Sequence, residues 1–268
     1  MRNLNMNSNP DWLRRRLAIF LIFSASFASP AIAQSDTAEP PTQTQDKKQS
    51  VATGFFISDG GYLITSHHVV SGYEHIYVVT ADRRVLQASL LKVDQPQDLA
   101  LLKVAAITPF LYLSHSQGVP PGMEVVTIGY PQVGILGLKP KITKGLVNSS
   151  SGLKDDPNSF QFSAEIQKGN SGGPLIGPGG TVVGVVKSKL DALKVSSISQ
   201  DLPQNVNFAV KSSVLIKFLT GTPSIPFTRP LNAGVTINPI GIFSEFTSAI
   251  VPIIARHSPL PKKRASER

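Results

Sequence analysis

Between Val51 and Val210 the chain alternates short apolar runs with clusters of Gly, Pro, Asn, Asp and Ser. The runs are 54–57, 62–65, 76–80, 85–91, 99–104, 125–128, 142–148, 160–163, 181–186 and 206–210. Each is rich in Val, Ile, Leu or aromatic residues and too short to make a helix of ordinary length, so each reads as a strand. Ser58-Asp59-Gly60-Gly61 separates the first two runs and marks a hairpin turn. Turn signals at this spacing predict an all-β chain of the sandwich or barrel kind. No alternation of strands with long helices appears, which argues against a parallel α/β sheet. The segment 212–219 carries Val214, Leu215 and Phe218 on one side, which predicts a short helix closing the β region.

The two ends have a different texture. Arg14, Arg15 and Arg16 precede an 11-residue apolar stretch, Leu17 to Phe27, and Ala31-Ile32-Ala33 follows. This order of charge, short apolar run and small residues predicts an export signal over residues 1–33, cut before Gln34, and a periplasmic or secreted product. Retention of the segment as an anchor stays open. Residues 34–50 are polar and Pro-bearing and read as a linker, leaving 51–220 as one β domain. In the tail, 221–268, three prolines precede an apolar patch of 15 residues from Gly241 to Ala255, interrupted by Glu245 and Pro252. That patch is too short and too broken to span a bilayer. A strand and helix packed on the β domain, or a tail that binds a partner, are both open for it.

Composition narrows the classes. An apolar fraction of 41% and a charged fraction of 16% belong to a globular chain. The absence of Cys excludes disulfides, a Cys-type zinc site and a cysteine nucleophile. The net charge of +9 falls to +6 without residues 1–33, and the last thirteen residues carry +4 of that. The body is left near +2, which gives no reason to expect nucleic-acid binding. A solvated basic end, or one in weak contact with an anionic membrane surface, accounts for the rest.

The most specific segment is Gly169-Asn170-Ser171-Gly172-Gly173-Pro174-Leu175. A serine nucleophile must project from a tightly curled backbone that also aims N–H groups at the developing oxyanion, and small neighbours allow this. On that reading the N–H groups of Gly169 and Ser171, flanking Asn170, form the oxyanion hole. A Gly-rich surface turn is the plain alternative for the segment alone. Serine needs a positioned base. Of the five histidines, His67 and His68 stand together directly after a strand-like run, in Thr65-Ser66-His67-His68-Val69-Val70. The base needs a carboxylate, and Asp98 heads the apolar run Leu99 to Val104, where an unpaired charge would be costly. Asp94, in a polar turn with Gln95 and Pro96, is its competitor. The order His, Asp, Ser is that of chymotrypsin-type enzymes.

Over residues 51–220 the sequence resembles the HtrA/Deg family of trypsin-like serine proteases. The resemblance rests on Thr53-Gly54-Phe55-Phe56-Ile57, on the His67-His68 segment and on Asp98 to Val104. Ile128-Gly129-Tyr130-Pro131, Thr143-Lys144-Gly145-Leu146-Val147 and the intact Ser171 motif extend it. It implies two packed six-stranded antiparallel β-barrels with the site in the cleft between them. His68 would be the base, His67 its variable neighbour, Asp98 the residue that orients the base and Ser171 the nucleophile. It also implies polypeptide substrates, unfolded or damaged ones in particular, with no metal or cofactor, and a homotrimer by analogy. Ile166 falls where the family lines its primary pocket, favouring small or medium apolar side chains; Glu165 is the rival, and would select Lys or Arg. Asn170 replaces the Asp through which digestive relatives are switched on by cleavage, so that mode of activation is not expected. The 48 residues after Thr220 are too few for the peptide-binding PDZ module of many relatives. The rival readings are a catalytically silent binding or chaperone-like protein on the same fold, and a protein acting at a membrane surface through its ends.

Overall fold

The structure is a computed structural model and describes residues 49–115, 118–187, 205–222 and 238–260. The expected export signal, nearly all of the linker and the basic residues 261–268 lie outside the described residues. Twelve strands among those described close into two antiparallel barrels of six. The first barrel holds β1 (Gln49–Phe56), β2 (Tyr62–Ser66), β3 (His75–Val79), β4 (Val85–Asp94), β5 (Leu99–Lys103) and β12 (Ile250–Arg256), in the order β1-β12-β3-β4-β5-β2. The second holds β6 (Glu124–Gly129), β7 (Lys141–Ser149), β8 (Ser159–Phe162), β9 (Pro174–Ile176), β10 (Val182–Val186) and β11 (Asn207–Lys211), in the order β10-β11-β8-β7-β6-β9. Among the described residues four short helices accompany them: α1 (His67–Val70), α2 (Val133–Leu136), α3 (Ser212–Leu219) and α4 (Pro239–Phe246).

The near-continuous apolar character of β5 and β10 follows from burial on both faces, whereas β3 keeps the alternation of one buried face and β4 and β7 each bury a single residue. In β5, Ala100 and Leu102 point into the first barrel, while Leu99 and Leu101 point into a second apolar layer between the barrels. β1 divides in the same way, Phe56 inward and Phe55 to the interface. From the second barrel Val126, Ile128, Ile176 and Val185 join the interface layer, and Phe160, Phe162 and Val186 fill that barrel's interior. Where both faces are covered, period-two alternation of apolar and polar residues is lost, and run length alone betrays the strand.

The hairpin turn after β1 requires a glycine. Gly61 has φ +81°, and a Cβ there would sit 2.5 Å from the Val104 carbonyl oxygen.

The tail departs from the domain boundary drawn at residue 220. β12 lies between β1 and β3, paired with β1 from Gln49↔Arg256 to Phe55↔Ile250 and with β3 from Ile253↔Val78 to Arg256↔His75. Residues 250–256 therefore complete the first barrel, and the strand-and-helix alternative is the one the structure adopts. Ile242 and Phe246 of α4 pack into the layer between the barrels. Pro252 is tolerated inside β12 because it faces Thr53, whose N–H goes to the Ser171 carbonyl and whose carbonyl takes the Thr65 hydroxyl. No helix of the described residues is long and apolar enough to cross a membrane.

Candidate active site

The histidine pair sits on α1, a single turn at the end of β2. Val69 and Val70 are buried in the first barrel, and at about 100° per residue this turns His67 and His68 toward the barrel edge. A helix start leaves backbone N–H groups without intrahelical partners. Here Asp98 takes two of them: its carbonyl accepts from His67 N at 3.1 Å, and its Oδ1 accepts from His68 N at 2.9 Å. Its other oxygen, Oδ2, lies 2.7 Å from Nδ1 of the His68 ring. Between two adjacent imidazoles, the structure brings His68 alone onto the carboxylate.

Asp98 reaches this position from the turn between β4 and β5, with a left-handed φ of +57°. Asp tolerates that region better than most side chains, and such outliers gather where a fold fixes a functional group. Asp94 instead closes its own turn, Oδ1 accepting from Gln97 N at 3.0 Å. Burial works to raise the Asp98 carboxyl, but hydrogen bonds from the His68 ring and backbone and from the Ser66 hydroxyl outweigh it and hold the group below the ordinary 3.8. An ionised carboxylate can only accept, so Nδ1 of His68 carries its proton toward Asp98, and Nε2 lies on the side of the ring away from the carboxylate.

Ser171 comes from the second barrel, on the loop between β8 and β9, and is 8% exposed. The loop is curled by short bonds, Asn170 N to Gln167 O at 3.0 Å and Gly173 N to Asn170 O at 3.0 Å. It lies flush against the first barrel. A Cβ on Gly172, at φ +78°, would stand 2.5 Å from Ser66 N, two residues before His68. Among the described residues, neither the Gly169 nor the Ser171 N–H donates to a protein acceptor. The peptide before Gly169 is pinned by its carbonyl, since Lys168 O accepts from Gln132 N at 2.9 Å. No hydrogen bond joins Ser171 Oγ to His68; such bonds in unliganded sites commonly form only with substrate.

Of the two pocket candidates, Ile166 is buried and packs in the second barrel's core with Val119 and Phe162. Glu165 is exposed, and its carbonyl accepts from the Thr143 hydroxyl at 2.8 Å. Sequence reasoning assigned no role to Thr53, Thr65, Ser66 or Tyr130, although all four support the site. All four lie in segments that carry the family resemblance, but those segments mark the residues without saying what each one holds.

Comparison with known proteins agrees with this geometry. Residues 52–185 match the trypsin-like peptidase domain family. The chain is 42% identical over 183 residues to the uncharacterized protein y4bJ of Sinorhizobium fredii, covering 68% of this chain and 29% of that one. It is 40% identical over 141 residues to a probable periplasmic serine endoprotease DegP-like protein of Hahella chejuensis, covering 51% of this chain and 29% of that one. Serine protease HTRA1 of Xenopus tropicalis is 33% identical over 176 residues, with 62% of this chain and 35% of the relative covered. The chain thus spans about a third or less of the length of these curated relatives. Among solved structures, the serine endoprotease from Yersinia pestis superposes with a TM-score of 0.50 at 25% identity, covering 63% of this chain and 60% of that one. The family match takes in half of the 268 residues, and with two six-stranded barrels meeting at a His–Asp pair and a curled serine loop, the chain belongs to the trypsin-like peptidase family as an HtrA-like member.

Proposed function

We propose that the chain is a serine endopeptidase that cleaves unfolded polypeptides through an acyl-enzyme. The observation that carries this reading is the 2.7 Å contact of His68 Nδ1 with Asp98 Oδ2, at the barrel edge against which the Ser171 loop packs. Ser171 Oγ attacks the scissile carbonyl carbon while its proton passes to His68 Nε2. Asp98 fixes the tautomer and stabilises the imidazolium. The carbonyl oxygen, now negative, is received by the N–H groups of Gly169 and Ser171. Collapse breaks the C–N bond, and His68 gives its proton to the leaving amine. Water then attacks the acyl carbon, surrenders a proton to His68, and releases the carboxylate product as Ser171 regains its hydrogen. Ile166 selects small or medium apolar side chains before the scissile bond. Export to the periplasm belongs to the same reading; the signal-like residues 14–33 and the periplasmic naming of the DegP-like relatives support it.

The test is labelling of the full chain by a fluorophosphonate probe together with cleavage of casein and of a peptide library. Ser171→Ala and His68→Ala should abolish turnover, and His67→Ala should keep most of it. Cleavage after Lys or Arg would transfer the pocket from Ile166 to Glu165. An inactive His67→Ala beside an active His68→Ala would overturn the base. No labelling of Ser171 in any condition would favour a silent binding protein on the same fold.

A further inference from the structure

Thr53 lies in β1 and is 0% exposed, yet most of its polar groups point at the serine loop of the other barrel or at what supports that loop. Its N–H donates to the Ser171 carbonyl at 3.1 Å. Its hydroxyl donates to the Gly169 carbonyl at 2.6 Å and accepts from Tyr130 N at 3.0 Å. Its own carbonyl accepts from the Thr65 hydroxyl at 2.8 Å. One residue of the first barrel thus grips the carbonyls of both residues whose N–H groups are assigned to the oxyanion.

We propose that Thr53 is a positioning residue that sets the oxyanion hole. The inference rests on the activity proposed above and concerns how its transition state is stabilised. Gly169 has φ +108°, and its missing Cβ would have stood 2.5 Å from the Tyr130 carbonyl oxygen, so glycine is required there. Glycine also rotates freely, and a loop built on it needs an outside restraint to hold one orientation. The two peptides flanking Gly169 have that restraint on their carbonyl sides. Gln132 N holds the Lys168 carbonyl, and the Thr53 hydroxyl holds the Gly169 carbonyl. In a trans peptide the N–H points opposite to the carbonyl, so the grip on the Lys168 carbonyl aims the Gly169 N–H, while the Thr53 grip fixes the next peptide, whose N–H belongs to Asn170, and so stops the Gly169 torsions from turning. The Thr53 N–H holds the peptide that follows Ser171, so the rigid strand β1 anchors both donor residues from their carbonyl sides, while the Asn170 carbonyl, in the same peptide as the Ser171 N–H, is held by Gly173 N. A hydroxyl is the group suited to the central place, because it must donate to Gly169 and accept from Tyr130 at once. Valine matches the shape of threonine but can do neither.

The experiment compares wild type, Thr53→Val and Thr53→Ser by peptide kinetics and by the rate of fluorophosphonate labelling of Ser171. Removing an oxyanion donor outright costs about 100- to 1000-fold in kcat, so a donor left in place but loosely aimed should cost about 10- to 100-fold. Thr53→Val is expected to lose about that much kcat and labelling rate with KM within about two-fold of wild type, since ground-state binding does not use the hole. Thr53→Ser keeps the hydroxyl and should stay within about three-fold of wild type on both measures. If the valine variant does not fold, Thr53→Cys, of similar size with a much weaker donor, takes its place. Wild-type labelling of the valine or cysteine variant overturns the assignment. So does a serine variant as impaired as the valine one, because packing of the methyl would then be the cause. A wild-type chain that the probe does not label and that cleaves nothing overturns the proposed activity itself, and the role of Thr53 with it.

Discussion

Ile253→Ala tests whether the C-terminal strand belongs to the first barrel. Ile253 is 0% exposed, faces Ala52 of β1 on one side and Val78 of β3 on the other, and its Cδ1 lies 2.8 Å from where a Cβ on Gly54 would be. The substitution removes three carbons, worth about 2.4 kcal/mol at roughly 0.8 kcal/mol each. β1 and β3 clamp β12 from both sides through their ladders, so the wall cannot collapse far into the space left, and a cavity penalty adds to the transfer loss. A total of about 3–4 kcal/mol results, within the 2–5 kcal/mol span of buried Ile→Ala changes. Against a usual folding stability of about 5–15 kcal/mol this is a large fraction. For a domain of this size it lowers the unfolding midpoint by roughly 6–15 °C. The assay is thermal unfolding of the full chain followed by circular dichroism, with urea unfolding as a second measure. Ile240→Ala is the control: that side chain is 81% exposed on α4, and its loss should cost less than about 0.5 kcal/mol. Equal midpoints for the two variants would refute the placement of residues 250–256 inside the barrel.

Burial pushes the Tyr130 phenol up from 10.0 to about 12, so above pH 10 the folded chain keeps a proton that the unfolded chain releases. The stabilisation is complete below pH 10 and fades as pH climbs toward 12, by an amount on the order of 2–3 kcal/mol. The stability gap between wild type and Tyr130→Phe should therefore narrow as pH rises from 10 toward 12, and parallel curves would show the phenol to be solvated. Gly172→Ala should cost much more than Gly72→Ala, although φ is +78° at one and +81° at the other, because only at Gly172 does a Cβ meet backbone, 2.5 Å from Ser66 N. Gly72→Ala should lose about 1–2 kcal/mol, the penalty of a left-handed L-residue alone, and comparable unfolding midpoints for the pair would contradict the packing of the loop on β2.

Much of this architecture was legible because it is written in local runs. Ten of the twelve strands coincide with apolar runs of the right length, and the helix at 212–219 follows from its one-sided apolar residues. β9 was hidden because Pro174-Leu175-Ile176 is three residues long and overlaps the serine motif. β12 was hidden for two reasons. Pro252 argues against a strand interior, and the partners of β12 lie about two hundred residues away, at Gln49–Phe55 and His75–Val78. Run length predicts that a segment is extended, but not which edge it will close. The choice between His67 and His68 was illegible on the same ground: adjacent imidazoles have the same chemistry, and only the position of the Asp98 carboxylate separates them.

The late strand and the serine loop are not independent features. The Tyr130 hydroxyl donates to the Ile250 carbonyl at 3.0 Å, at the start of β12, and the Tyr130 N–H donates to the Thr53 hydroxyl at 3.0 Å. Thr53 in turn holds Gly169 and Ser171. A continuous set of hydrogen bonds, each with a net worth of about 1 kcal/mol, thus runs from the closing strand of the first barrel to the serine loop of the second. Its members are buried, so a broken link leaves an unsatisfied polar group in the interface layer rather than one that water repairs. Folding of the last strand and the placement of the serine loop are therefore coupled by the cost of leaving those groups unpaired. A sequence-drawn boundary at residue 220 would have cut this connection, which is why the tail belongs in any account of how the site is held.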